Sequence, residues 1–278
     1  MKIGYLGPKA SFTYATARAA FPDSSHQLVA FDSITEVIRS YEQGLVDYAI
    51  VPVENSIEGS VHQTVDYLFL QAEQIRAQAE IVQPIKQQLM ATRADKEIEK
   101  IFSHPQAIAQ SLKYVQHHFP NAKIESTDST AYAAKFVAEH PEKNFAAIAP
   151  VASSLEYGLT IIAQDIQEID ENFTRFWLLG QTTPQIPLPV VMEKMTLALT
   201  LPDNLPGALY KALQIFADFG INLTKIESRP LKTFLGEYFF LIDAQFSENY
   251  LYLIHALEKL GITVKRLEIG RASCRERV

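Results

Sequence analysis

The sequence is nearly free of cysteine. Its only one, Cys274, stands in residues 268–278, a segment with no hydrophobic period that reads as the translation of a short-read sequencing adapter. Set aside as a non-native tail, that segment leaves a chain without cysteine, which removes disulfides, thiolate metal sites and cysteine nucleophiles together. Clusters of Lys and Arg are also missing, and the formal net charge is -7, so a nucleic-acid surface is not expected. The seven histidines show no ligand spacing, and no metal or other cofactor is expected. No apolar segment of signal-peptide or membrane-spanning length follows Met1-Lys2, where Ile3-Gly4-Tyr5-Leu6 already reads as a strand. The expectation is a cytoplasmic protein with no membrane partner.

What is present is an ordinary soluble composition, 47% hydrophobic and 21% charged, over 278 residues, a comfortable length for two domains. Residues 181–194 carry Pro184, Pro187 and Pro189, a stiff non-helical connection and the best boundary. The expected division is 1–180, a linker 181–194, and a second domain 195–267. The second domain reads strand 196–201, helix 206–219 closed by Gly220, strands 222–226 and 237–246, helix 248–260 stopped by Gly261, and strand 263–267. That βαββαβ order is the ferredoxin-like split βαβ. Its small sheet leaves one face partly apolar, so a second copy is the expected cover.

In the first half, Asn172-Phe173-Thr174-Arg175-Phe176-Trp177-Leu178-Leu179 places a hydroxyl and a guanidinium between phenylalanines at the start of an apolar strand. Polar groups in so apolar a stretch must be hydrogen-bonded, since burial without partners costs about 1–3 kcal/mol each. A bidentate Arg beside a Thr hydroxyl, walled by rings, suits a small ring-bearing carboxylate. A strand with one buried Arg–carboxylate pair fits the same residues.

Around it, Gly7-Pro8 to Ser11-Phe12-Thr13 reads as strand, turn and helix, with Ser11 as cap and a helix N-terminus that would attract an anion. Ser33-Ile34-Thr35-Glu36 is a capping box. Residues 46–53 form a buried parallel-type strand that runs into Glu54-Asn55-Ser56, the strand end where open α/β sheets bind ligands. A polar turn capping a following helix is the alternative there. Ser103-His104-Pro105-Gln106 opens a helix with a buried stripe of Ile108, Leu112 and Val115, leaving Gln110 on its margin. His104 reads as a cap or as an acid–base group. Ser129 and Thr130 are cap candidates for a helix over 131–139. Residues 49–58 and 147–156 repeat Ala, Ile, Pro, Val, Ser and Glu in the same places, as two similar lobes facing a cleft would.

Taken in this order, the motifs resemble the prephenate dehydratase family with a C-terminal ACT domain. They are Gly7-Pro8 to Thr13, Pro52 to Ser56 with Gly59-Ser60-Val61, Ser103 to Gln106 with Gln110, Ser129-Thr130-Ala131 and Thr174-Arg175-Phe176. In the second half they are residues 204–209 and Glu227-Ser228-Arg229-Pro230. Ala10 stands where the family commonly has glycine. The resemblance implies a two-lobed α/β domain like the type II periplasmic binding proteins, followed by a ferredoxin-like ACT domain. No chorismate mutase helices precede Met1, so a monofunctional enzyme is expected. The implied reaction turns prephenate into phenylpyruvate, carbon dioxide and water. Thr174 would be the catalytic donor, with Glu54 as an alternative acid. Ser11, Thr13, Asn55, Ser103, Gln110, Ser129, Thr130, Arg175 and Phe176 would surround the substrate. L-phenylalanine would be the allosteric effector, held by Asn204, Pro206, Gly207, Ala208, Leu209, Glu227, Ser228, Arg229 and Pro230 in a homodimer or homotetramer. An arogenate dehydratase, with the same chemistry on an amino acid, is the near rival. A solute receptor or effector-binding regulator of the same fold would need an export signal or a helix-turn-helix, and neither is found.

Overall fold

The computed structural model describes residues 1–72, 74–93, 97–202, 206–233 and 236–274. It divides into two compact units, one made of Met1–Val61 and Val82–Phe176, the other of His62–Ile81 and the chain from Trp177 onward.

The first unit opens with β1 (Lys2–Leu6), α1 (Phe12–Ala20), β2 (Gln27–Phe31), α2 (Ile34–Glu42), β3 (Tyr48–Asn55) and the short β4 (Gly59–Ser60). β1 lies parallel between β2 and β3. The turn after β1 needs glycine: a Cβ on Gly7 would sit 3.2 Å from the Phe31 carbonyl oxygen and 3.3 Å from the Ala30 Cβ. Ser11 and Ser33 cap α1 and α2 through their side chains, as their positions before apolar helical runs imply. Glu36 closes the second cap onto the backbone N–H of Asp32 at 3.1 Å. β3 is buried through Ala49, Ile50 and Val51, the continuous apolar run of a covered sheet.

The next helix, α3 (His62–Leu70), belongs to the second unit, and β5 (Ala77–Pro84) runs from that unit back into the first. A second lobe follows: β6 (Gln88–Ala91), β7 (Lys100–Ser103), α4 (Pro105–Gln110), α5 (Leu112–His118), β8 (Lys123–Ser126), α6 (Thr130–Ala138), β9 (Phe145–Ala149), α7 (Val151–Tyr157) and β10 (Thr160–Ala163). Its five-stranded sheet has the order β10-β6-β9-β7-β8. The helix expected from Ser103 is two helices, because the backbone leaves helical geometry at Ser111 (φ -122°, ψ 9°). The buried stripe is accordingly Ala107, Ser111 and Val115 rather than Ile108, Leu112 and Val115. The apparent repeat also diverges. After β9 the chain enters α7, whereas β3 continues through Pro52 to Asn55, whose Oδ1 accepts the N–H groups of Ile57 and Glu58 and makes a turn. The lobes touch where the Lys9–Ala10 backbone meets α7: Ser153 Oγ donates to the Ala10 carbonyl at 3.0 Å, and Lys9 pairs with Glu156 at 2.6 Å. Ala10 is buried with φ 67°, a left-handed conformation that favours glycine. The chain leaves the first unit within β11 (Phe173–Leu179), after Phe176.

The second unit continues with β12 (Val190–Thr200), α8 (Ala208–Asp218), β13 (Leu223–Pro230), β14 (Tyr238–Gln245), α9 (Tyr250–Lys259) and β15 (Thr263–Cys274). The sheet order β13-β14-β12-β15, antiparallel throughout, is the ferredoxin-like arrangement the periodicity implied. Leu197, Leu199, Ala212, Phe216, Leu253 and Leu257 form its core. Two ends differ from expectation. β12 begins at Val190, inside the stretch expected to be a linker, and β15 runs past Leu267 to Cys274. Glu268 is fully buried and accepts from Thr196 Oγ1 at 3.2 Å, so residues 268–274 take part in the fold they were set aside from. The register with β12 uses backbone groups, which any sequence supplies, so the missing hydrophobic period was no bar to pairing. Residues 275–278 lie outside the described residues.

Helix α3 is docked on this sheet by charge and ring contacts. Lys265 Nζ donates to the carbonyls of Leu68, Phe69 and Ala72 at 2.7, 2.8 and 3.2 Å, a cation on the orphan acceptors of a helix end. Phe69 stacks on Phe239 with ring centroids 3.8 Å apart. Asp66 takes Arg229 at 2.8 Å and Lys232 at 2.6 Å. Burial pushes the Asp66 carboxyl up, but hydrogen bonds from Lys232 and Arg229 outweigh it and hold it below its ordinary value. A carboxyl depressed in the folded state stabilises above its unfolded pKa and loses that contribution as pH falls through the folded value. Asp66→Asn should therefore destabilise the protein at pH 7 by about 1–3 kcal/mol. The difference from the parent should begin to narrow as pH falls below about 3.9, the ordinary unfolded value, and keep narrowing toward the lower folded one. Denaturant unfolding of both proteins across pH 3–7 measures this, and an unchanging difference would rule it out.

Candidate active site

Where β3 ends and β11 begins, side chains of the first unit converge. Asn55, almost fully buried, donates from Nδ2 to Thr174 Oγ1 at 3.0 Å, to Asn172 Oδ1 at 2.9 Å and to the Phe173 carbonyl at 3.2 Å. Its Oδ1 is fixed by the N–H groups of Ile57 and Glu58, both at 3.0 Å. Asn172 Nδ2 donates in turn to Gln110 Oε1 at 3.1 Å, which brings α4 of the second lobe into the same network. Ser56 ties the two strands together: its N–H donates to the Phe173 carbonyl at 2.8 Å and its Oγ accepts from Phe173 N at 2.9 Å. One residue before Asn55 on β3 and one after Thr174 on β11, Arg175 Nη1 pairs with Glu54 Oε2, the two side chains being 18% and 21% exposed. Phe176 is buried beneath.

Asn55, Gln110, Thr174, Arg175 and Glu54 are thus brought together. The other expected donors hold other posts. The Ser11 and Ser129 hydroxyls accept from Tyr14 N at 3.2 Å and Tyr132 N at 3.0 Å, capping α1 and α6. Thr130 is the first residue of α6, and Thr13 is buried in the first turn of α1. Ser103 Oγ is fully buried and donates to the Ile148 carbonyl at 2.6 Å, which binds β7 to β9. His104 Nδ1 accepts from Gln106 N at 3.3 Å, the cap reading of that residue. Beside α1, burial and then the neighbouring Tyr14, Glu156 and Tyr157 push the Tyr5 hydroxyl up to about 12, which leaves it a neutral hydrogen-bonding group at physiological pH. Among the described residues no group of three or more His, Cys, Asp or Glu is placed to hold a metal ion.

Asn172 was not among the expected site residues. Its signal in sequence is an amide immediately ahead of an apolar strand, a position that demands a buried partner. A cavity of about 220 Å³ lies beside it, lined among others by Ile57, Gln110, Gln167 and Ile169.

In the second unit, Glu227 reaches His62 at 3.5 Å, and Arg229 holds Asp66. Gly207 precedes α8 with φ 80°, a conformation that favours glycine, and no side chain among the described residues caps that helix. Pro206, Ala208 and Leu209 flank this turn, Ser228 and Pro230 lie on β13, and Asn204 falls outside the described residues.

A two-lobed α/β unit with amides, a hydroxyl and an ion pair meeting at one strand end, joined to a ferredoxin-like module, is the architecture of a small-molecule-binding protein with an appended domain. Residues 3–184 match the prephenate dehydratase family model. The chain belongs to the prephenate dehydratase family. It is 49% identical over 272 residues to a prephenate dehydratase of Lactococcus lactis subsp. lactis (strain IL1403), covering 97% of this chain and 96% of the relative. The prephenate dehydratase of Bacillus subtilis (strain 168) is 40% identical over 280 residues, at 96% and 97% coverage. The fold of this chain matches a solved prephenate dehydratase from Arthrobacter aurescens in complex with L-Phe, with a TM-score of 0.82, 30% identity, and 98% and 90% of the two chains covered.

Proposed function

We propose that this chain is a carbon–oxygen lyase of the cytoplasm that converts prephenate to phenylpyruvate, carbon dioxide and water, with Thr174 as the group that assists departure of hydroxide. The observation that carries the assignment is the hydrogen bond from Asn55 Nδ2 to Thr174 Oγ1 at 3.0 Å, which makes the hydroxyl oxygen an acceptor and leaves its hydrogen for substrate. Restored aromaticity drives the reaction, so the protein has mainly to hold a dianion and stabilise the leaving oxygen. A threonine is badly matched to neutral pH as a free acid, so the favoured role is positioned hydrogen-bond donation. The carboxyl carbon leaves as carbon dioxide, the bond electrons move into the ring, and the hydroxyl at the far ring carbon departs as hydroxide, hydrogen-bonded by Thr174, and takes a proton from solvent to become water. The ion pair with Arg175 favours an ordering role for Glu54 over that of the alternative acid. The capped N-termini of α1 and α6 offer partial positive charge to the substrate's carboxylates.

L-phenylalanine, the ligand in complex with the Arthrobacter aurescens protein, is the effector this reading assigns to the second unit. The N–H groups at the start of α8 would take its carboxylate and Glu227 its amino group, in a homodimer or homotetramer that covers the half-exposed Ile226 and Tyr238. Purified protein incubated with prephenate should release phenylpyruvate, and added L-phenylalanine should slow it. Faster turnover of arogenate than of prephenate would replace the substrate assignment.

A further inference from the structure

The side chain of Asn172 is fully buried just ahead of β11, yet it touches no reacting group in the proposed reaction. Both of its ends are engaged, Oδ1 by Asn55 at 2.9 Å and Nδ2 on Gln110 at 3.1 Å. We propose that Asn172 is a positioning residue, which fixes the Asn55 amide and through it turns the hydroxyl hydrogen of Thr174 toward the substrate. The proposal rests on Thr174 being the donor to the leaving oxygen.

Counting hydrogens shows why the amide matters. Asn55 Nδ2 has two hydrogens, and three acceptors lie within reach: Asn172 Oδ1, Thr174 Oγ1 and the Phe173 carbonyl, at 2.9, 3.0 and 3.2 Å. The amide cannot be reversed, because its oxygen is held by the N–H groups of Ile57 and Glu58, and a reversed amide would set donors against donors. Asn172 takes the nearest hydrogen, so the second is directed at Thr174 and shared with Phe173. A hydroxyl that accepts from Asn55 must give its own hydrogen elsewhere. With the Asn172 acceptor gone, the Asn55 amide keeps only the anchors on its oxygen, and the plane that directs its second hydrogen at Thr174 Oγ1 is no longer fixed from the nitrogen side. Gln110 completes the relay, because its oxygen receives Asn172 Nδ2 and so points Asn172 Oδ1 at Asn55.

Asn172→Leu keeps the branched shape of the side chain and removes the acceptor. In the otherwise unchanged protein kcat should fall about 10²-fold, with KM within about threefold of the parent. In a Thr174→Ala background the same substitution should change kcat by less than about threefold, because there is no hydroxyl left to orient. Asn172→Asp retains an acceptor for Asn55, and Gln110 can turn its amide to donate to the second oxygen. It should keep kcat within about tenfold of the parent. A merely structural amide slot predicts the reverse, with the buried charge the worse of the two changes. If Asn172→Leu does not fold, Asn172→Asp decides alone, a larger loss of kcat overturning the proposal. A loss from Asn172→Leu that persists undiminished in the Thr174→Ala background also overturns it and leaves the role of Thr174 standing. Near-normal turnover of Thr174→Ala by itself removes both.

Discussion

Thr174→Ala is expected to cut turnover by about 10²–10⁴-fold, the loss typical of removing a positioned acid or donor. The residue is only half-buried, and its hydroxyl enters the fold by accepting from Asn55 at 3.0 Å, so stability has little to lose. Folding and catalysis should separate: the melting temperature should move by a few degrees at most while kcat collapses. Thr174→Ser, which keeps an oxygen in place with a freer rotor, should retain much more activity. KM should change little in either variant, because a donor that acts on the departing oxygen matters most after charge has begun to develop there. Steady-state kinetics with prephenate on the three proteins, alongside thermal melts, reads all of this. If the alanine variant turned over at a normal rate, the donor would have to be sought elsewhere, with Glu54 first in line.

How much of this was legible in the sequence depends on how local each feature is. The caps were readable because each is made within a few residues: Ser11 to Tyr14 N, Ser33 to Glu36 N and Ser129 to Tyr132 N are all three apart. The ferredoxin-like order was readable because helical and strand periods alternate cleanly between turn residues. The converging site was half readable. Thr174, Arg175 and Asn55 stood out as polar groups in apolar strands, but that Asn55 reaches Asn172, 117 positions away, is a fact of strand pairing that no local pattern carries. The docking of α3 through Asp66 and Arg229, 163 positions apart, was invisible for the same reason. One reading failed on chemistry that was present but outweighed, and one expected strand end lies further along. The 49–58 and 147–156 segments share residues, yet the Asn55 side chain makes its own turn where the second copy has a serine and enters a helix. The 268–274 stretch lacks a hydrophobic period, yet β15 continues through it in register with β12, and Glu268 adds a hydrogen bond from Thr196.

Arg175→Leu is the second large effect expected, and it comes with a way to separate two roles. The guanidinium pairs with Glu54 across two strands, one position from the Asn55–Thr174 hydrogen bond on each strand. Removing one member of a fully buried pair costs about 3–5 kcal/mol; with 18% and 21% of these side chains exposed, about 2–3 kcal/mol is expected here. Because Thr174 adjoins Arg175, the loss of this clamp should also displace the hydroxyl and lower kcat about 10²-fold. The double variant Glu54→Gln/Arg175→Leu removes the stranded charge as well. If the pair serves to order the strand ends, the double variant should regain most of the stability and most of the turnover. A double variant that regained stability while staying as slow as Arg175→Leu, with a raised KM for prephenate, would mean instead that the guanidinium itself holds a substrate carboxylate. A guanidinium has five N–H donors, so pairing with Glu54 leaves both geometries open to it. The alignment of the clamp with the Asn55–Thr174 bond is what favours order: the pair lies where any shear between β3 and β11 would first separate donor from acceptor. Denaturant unfolding and initial-rate kinetics on the parent, the single variant and the double variant complete the comparison.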